Sequence, residues 1–277
     1  MIQYLKITIP CNPELLELLI AELGTIQFDS FQEMDDSLEA YIDEAIFDEK
    51  QLNSILEKYH ILHGVQIEKL DNINWNEEWE KNFDPVFIED KVQIRAIFHE
   101  PKPGFRHDVI INPKMSFGTG HHETTHLIVA EQLTIDHRNK RVLDVGTGTG
   151  ILAIMAHKLG ARTITATDID DWCIENCSEN FGLNHMADFT ILQGTISNLT
   201  LSGTYDIIYA NINKNVLMAE LPFYSNLLAE NGILVLSGFY SEDIDDLKEI
   251  ASRNNLFFKH SRSRNNWSMM QLSHQKI

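Results

Sequence analysis

The chain has 277 residues, 43% of them hydrophobic, with three cysteines and a formal charge of −19 at pH 7. No apolar run approaches the roughly 18 residues of a membrane-spanning helix, and no basic, then apolar, leader opens the chain. A membrane span and a secretory signal are therefore not expected. Three cysteines cannot all pair, so Cys11, Cys173 and Cys177 are expected to be reduced and the compartment cytoplasmic.

The charge is lopsided. Residues 1–90 hold 21 acidic and 5 basic side chains, whereas residues 91–277 hold 20 and 17. A nucleic-acid binder needs a basic footprint to displace counterions. The composition offers none, so direct sequence-specific nucleic-acid binding is not expected. An acidic front module either steers a basic partner protein or only aids solubility.

In chain order, residues 2–9 alternate as a strand that Pro10 ends. Residues 13–23 carry a leucine stripe, with Asn12 as the start and Gly24 as the stop of a helix. Strands are expected over 26–32 and 38–43, a helix over 48–59 and a strand over 65–70. This β-α-β-β-α-β order predicts a small ferredoxin-like α+β domain over residues 1–70. Residues 71–90 read as an interdomain linker helix, with Trp75, Trp79 and Phe83 on one face until Pro85 breaks the run.

Strands over 91–98 and 107–111 lead to the loop 112–121 and a helix from His122 to about Leu133. An alternating series follows. Strands are expected near 141–145, 163–168, 189–192, 205–210 and 232–237, with helices near 150–160, 171–181, 214–229 and 242–253. Two last strands, 256–262 and 266–273, form a hairpin around Arg264, Asn265 and Asn266. The repetition predicts a doubly wound α/β fold with a seven-stranded sheet over residues 91–277.

The densest chemical signal is Asp144-Val-Gly-Thr-Gly-Thr-Gly150, lying between a strand and a helix. Glycine lets the chain turn sharply and lets a ligand approach the backbone. The dinucleotide fingerprint needs a third glycine where this chain has Ile151, and no Gly-Lys-Ser or Gly-Lys-Thr follows. NAD, FAD and P-loop readings are disfavoured, and S-adenosylmethionine is favoured. Asp168, closing the next strand, suits a carboxylate that accepts from ribose hydroxyls. Asp170 and Asp171 are the alternatives, or they charge the first turn of the next helix.

Phe117-Gly-Thr-Gly120 is a second glycine turn, in which Thr119 offers a hydroxyl. His122-Glu-Thr-Thr-His126 formally matches a zinc-peptidase pattern, but no third ligand is evident. Capping and loop support is the reading preferred for these histidines, and no metal is expected. Asn211 ends an apolar strand, where a polar side chain faces the ligand crevice. Its carbonyl would orient an amine without carrying charge. Alternatively, Asn211 or Asn213 caps the following turn.

Together these segments resemble the ribosomal protein L11 methyltransferases. The resemblance rests on Asn112–Thr125, Val142–Ala153, Ala210-Asn-Ile212, Leu236-Ser-Gly-Phe239 and the Trp75, Trp79, Phe83 and Pro85 segment. Thr147 and Thr149 stand where the family often has Cys and Ser, and Asn213 stands where an aliphatic residue is usual. The resemblance implies a methyltransferase sheet and an S-adenosylmethionine-dependent protein N-methyltransferase. It implies methylation of lysine ε-amines and the terminal α-amine of ribosomal protein L11, with the N-terminal domain recognising that substrate. The expected cofactor-binding residues are Thr119, Asp144, Gly146, Gly148, Gly150, Asp168 and Asn211. Asn211, Phe117 and Thr119 are the expected catalytic residues, and a monomer is expected. The competing readings are methylation of another protein or a small amine, and a non-enzymatic, cofactor-binding ribosome-assembly protein.

Overall fold

The computed structural model describes residues 4–12, 15–34, 36–61, 63–69, 83–114 and 116–276. The chain divides into two compact units, residues 1–82 and 83–277. Trp75 and Trp79 lie outside the described residues. Within the span expected as a linker helix, Val86–Ile88 is instead a strand.

In the first unit, β1 (Tyr4–Pro10), α1 (Leu16–Thr25), β2 (Ser30–Glu33), β3 (Ser37–Asp43), α2 (Glu49–Lys58) and β4 (Gln66–Lys69) follow in that order. The sheet order β2-β3-β1-β4, antiparallel throughout, is the ferredoxin-like arrangement. Period-two alternation sends Leu5, Ile7 and Ile9 of β1 and Leu38, Ala40 and Ile42 of β3 into the core. Leu19, Leu23, Leu52 and Leu56 of the helices meet them there. Asp48 caps α2, its Oδ1 accepting from the Lys50 amide at 2.9 Å. Gly24 does not stop α1; the helix runs through it to Thr25, and Gln27, at φ 69°, makes the turn. That extension is why β2 starts later than the residue pattern predicts.

The second unit opens with β5 (Val86–Ile88), β6 (Val92–Ala96) and β7 (His107–Ile111), which form a separate three-stranded sheet. Next come α3 (Glu123–Gln132), β8 (Arg141–Val145), α4 (Ile151–Lys158), β9 (Thr163–Asp168), α5 (Asp171–Leu183) and β10 (Phe189–Gln193). The chain continues through β11 (Tyr205–Asn211), α6 (Lys214–Leu227), β12 (Leu228–Tyr240), α7 (Ile244–Arg253), β13 (Phe257–Arg264) and β14 (Trp267–Ser273). These strands form a seven-stranded sheet in the order β10-β9-β8-β11-β12-β14-β13. Strands β8 to β12 pair in parallel, and β14 is inserted antiparallel between β12 and β13.

Both faces of this sheet are covered, which is why its central strands are apolar at successive positions rather than at alternate ones. On β11, Ile207 and Tyr209 enter the core beneath α3 and α4, while Ile208 and Ala210 enter the one beneath α6 and α7. Strand order reverses between β8 and β11, so a crevice opens above their carboxyl ends. No helix among the described residues is long and apolar enough to cross a membrane.

Candidate active site

The loop after β8 turns on glycines in left-handed conformations. Gly146 is at φ 67° and Gly148 at φ 53°. A Cβ on Gly148 would lie 2.2 Å from the Phe117 carbonyl oxygen, and one on Gly146 would lie 2.3 Å from Ile212 Cγ2. The Gly146 and Thr147 amides both donate to the Thr167 carbonyl at 2.9 Å, which pins the loop to the end of β9. The Gly148 amide donates to Asp168 Oδ2 at 2.9 Å, and the Asp170 amide to Oδ1 at 3.2 Å. Each carboxylate oxygen keeps a second lone pair for a ligand.

The two glycine turns are fastened together. The Thr149 amide donates to the Phe117 carbonyl at 2.9 Å, and Thr149 Oγ1 donates to the Gly118 carbonyl at 2.6 Å. The Phe117 ring, 52% exposed, stands beside His122 at 5.0 Å between centroids. His122 continues to Trp267 at 4.7 Å, and Trp267 to Tyr240 at 4.2 Å. An aromatic rim therefore runs from the second glycine turn to the β13–β14 hairpin. His122 also caps α3, its Nδ1 accepting from the Thr124 amide at 3.3 Å, and His126 Nε2 faces the Arg264 guanidinium at 2.9 Å. His122 Nδ1 and His126 Nε2 thus serve the helix cap and the hairpin arginine.

A cavity of about 430 Å³ gathers Gly146, Gly148, Asp168, Asn211 and Phe117 on one wall or another. Three other residues singled out from the sequence do not line it. Asp144 is fully buried beneath the loop, where its Oδ2 accepts from Thr147 Oγ1 at 2.7 Å. Burial raises its pKa to about 7. Gly150 ends the loop as the N-cap of α4. Thr119 turns its hydroxyl to His121 Nδ1 at 3.1 Å, and His121 Nε2 lies 2.9 Å from the Asp84 carbonyl.

Asn211 is held from the side. Its Nδ2 donates to Thr125 Oγ1 at 3.4 Å, and its buried Oδ1 has no partner. The capping alternative falls to Asn213 alone, whose Oδ1 accepts from the Val216 amide at 3.1 Å and starts α6. The fold adds cavity residues that pattern reading passed over: Ile169, Trp172, Thr195 and Glu220. Ile169 and Trp172, 62% and 54% exposed, put two large apolar side chains at the cavity wall. Thr195 was accessible to inference, because it follows β10 at the same carboxyl edge as Asp168 and Asn211.

The sequence profile of the "Ribosomal protein L11 methyltransferase (PrmA)" family matches residues 11–275. The chain belongs to that family. A ribosomal protein L11 methyltransferase of Phocaeicola vulgatus is 41% identical over 273 residues, covering 96% of this chain and 97% of the relative. One from Porphyromonas gingivalis is 46% identical over 261 residues, covering 93% and 90%. Among solved structures, a ribosomal protein L11 methylase from Lactobacillus delbrueckii subsp. bulgaricus is 27% identical. It aligns with a TM-score of 0.65 over 70% of this chain and all of that one. Membership of the L11 methyltransferase family makes the chain an S-adenosylmethionine-dependent methyltransferase. The cavity fits such a cofactor on its own terms: the glycine cradle admits no Cβ, Asp168 has acceptor capacity left, and the Asn211 carbonyl is unpaired.

Proposed function

We propose that the chain methylates lysine ε-amines and the N-terminal α-amine of ribosomal protein L11. The observation that carries this reading is the unpaired Asn211 Oδ1, buried at the strand end that faces the glycine loop. A neutral carbonyl there accepts from an amine N–H and aims the nitrogen lone pair without a charge that would favour the ammonium form.

Bound S-adenosylmethionine supplies a methyl group on a positively charged sulfur, already activated for transfer. The protein's part is alignment and dehydration. Gly146 and Gly148 would present backbone to the cofactor, Asp168 would accept from its hydroxyls, and Ile169 and Trp172 would offer it apolar surface at the cavity wall. Asp144 and Gly150 act from beneath, shaping the loop, and Thr119 through its bond to His121. Lysine's pKa in water is about 10.4 and that of an α-amine about 8. The aromatic rim of Phe117, His122 and Trp267 keeps the amine partly dry, which lowers either value, and ring faces favour the cationic methylated product. Asn211 would hold the nitrogen in line with the donor's methyl group, and the amine proton would leave to water.

The acidic front unit supports a basic protein as substrate. Its charges would draw in a ribosomal protein while repelling naked RNA. We place the reaction in the cytoplasm, with the enzyme as a monomer and Cys11, Cys173 and Cys177 as free thiols. The deciding experiment is transfer of radiolabelled methyl from S-adenosylmethionine to purified ribosomal proteins, with the labelled species identified by mass. Label on L11 amines is expected. Cofactor binding with label only on another protein or a small amine would overturn the substrate assignment.

A further inference from the structure

The overall charge of −19 hides a cationic pocket in the catalytic unit. A cavity of about 370 Å³ opens where β7 begins and where α4 and α5 end. Helices of a doubly wound fold run antiparallel to their strands, so helix C-termini lie at the opposite sheet end from the strand tips that carry Asp168 and Asn211. Arg106 and His107 come from the start of β7, Lys158 is the last residue of α4, and His185 follows α5.

The acid on this wall is already neutralised. Arg95 Nε and Nη2 donate to the two oxygens of Asp108 at 2.9 and 2.8 Å. Among the described residues, no carboxylate pairs with Arg106, Lys158 or His185. His107 is only 9% exposed; its ring nitrogens make no hydrogen bond among the described residues and are not among the fully buried polar atoms, so they open onto the pocket. Burial holds its pKa below the ordinary imidazole value, and the charges of Arg106 and Lys158 push the same way. Burial also lowers the Lys158 ammonium, with Arg95 adding to it against Asp108.

A helix C-terminus by itself attracts cations, and this accounts for Lys158. It does not account for Arg106 and His107, which arrive from a strand on the facing wall with their donors turned to the pocket. Cations gathered at mutual cost, with donors unspent, describe a site whose occupant is an anion.

We propose that this pocket binds a phosphate group, from free phosphate or from the backbone of an RNA strand. Arg106 and Lys158 supply the charge, and His107 donates from the floor. A neighbouring cavity of about 690 Å³ separates the two sources. It is lined by Arg141 and Arg162, at the starts of β8 and β9. The Arg141 guanidinium is committed to the Ser202 carbonyl at 3.0 Å and to the Tyr205 ring, whereas the Arg162 guanidinium has no hydrogen-bond or ion-pair partner among the described residues. The two linings approach each other along the chain, with His185 in the first and Asp188 beside Arg162 in the second, so a strand of phosphates would extend towards Arg162 where a single phosphate would not. The site makes no use of the methyl-transfer reading and stands or falls apart from it.

The test follows the His107 imidazole by NMR in the full-length protein, as inorganic phosphate replaces chloride at constant ionic strength. The expected result is a saturable upward shift of the His107 midpoint. Lys158→Gln should weaken phosphate binding at least about tenfold, the loss of one charge-assisted contact, while cofactor binding in the same sample reports that the variant is folded. A short single-stranded RNA then identifies the source. Competition with phosphate, weakened by Arg162→Gln, assigns the site to a phosphodiester backbone, and no competition assigns it to free phosphate. A His107 midpoint that moves equally in chloride, or a shift that survives both Lys158→Gln and Arg106→Gln, overturns the proposal.

Discussion

Thr125 holds Asn211. The hydroxyl of a fully buried threonine on α3 accepts from the asparagine amide, and this fixes the amide's orientation and leaves its carbonyl without a partner. An asparagine free to flip would present donors to the amine half the time. Thr125→Val is therefore expected to lower kcat with little change in cofactor Kd. Asn211→Ala should cost about 100-fold in kcat/KM, the scale of losing orientation at a reacting centre. Cofactor titration beside steady-state kinetics checks both, and full turnover in Asn211→Ala would reject the orienting role.

Gly148→Ala should abolish cofactor binding. The added methyl meets the Phe117 carbonyl oxygen at 2.2 Å, and φ 53° alone costs a residue with a Cβ about 1–2 kcal/mol. Either the second turn is pushed off or the loop opens. Gly182→Ala, in open space within α5, is the matched control and is expected to bind cofactor normally. Calorimetric titration of both variants is the measurement.

Two buried titrating groups push stability in opposite directions with pH. Asp144 has a pKa raised to about 7, so the folded state holds its proton longer than the unfolded state. Stability from this group declines as pH rises from about 4 to 7. His137 is held neutral by burial, its pKa lowered to about 4, and its Nε2 accepts from Tyr209 Oη at 2.6 Å. Its contribution is complete above about 6.5 and is lost as pH falls towards 4. The two slopes offset each other between pH 4 and 6.5. Asp144→Asn should make stability rise with pH in that window, and His137→Asn should make it fall. Urea unfolding at several pH values checks this, and parallel profiles in all three proteins would count against it.

Salt should weaken capture of L11 without weakening capture of cofactor. Charge steering is screened over about 8–10 Å at physiological ionic strength, while cofactor contacts lie inside a cavity. KM for L11 should rise severalfold between 50 and 300 mM salt. A flat response would reduce the acidic front unit to a solvated surface.

Much of the fold is legible from the residues because the central strands are buried on both faces and so form short, continuous apolar runs. Strands β8 and β9 begin and end where those runs do. Strand β12 is harder to read. Glu230, Asn231 and Gly232 have the composition of a turn; Leu228 pairs with Tyr205 and Ile233 with Ile207, and the residues between them bulge out of the ladder, so one strand spans what reads as a break. Gly146, Gly148, Asp168 and Asn211 are legible because each sits in a turn or at a strand tip, positions defined by local sequence. Trp172, Thr195 and Glu220 come from three separate elements, and no local pattern joins them. The same holds for Arg106, Lys158 and His185. Their neighbourhood is created by topology, and composition averages it away.

The bonds from Thr149 to Phe117 and Gly118 carry a consequence for how this enzyme can change its target. The wall proposed to meet the amine and the loop proposed to meet the cofactor are one mechanical piece. A substitution that reshapes the Phe117 turn to admit a different acceptor also loosens the grip on the methyl donor. New specificity is therefore cheapest to acquire on surfaces outside that piece, at the hairpin side of the aromatic rim around Tyr240 and Trp267, where a side chain can be exchanged and the donor loop left undisturbed.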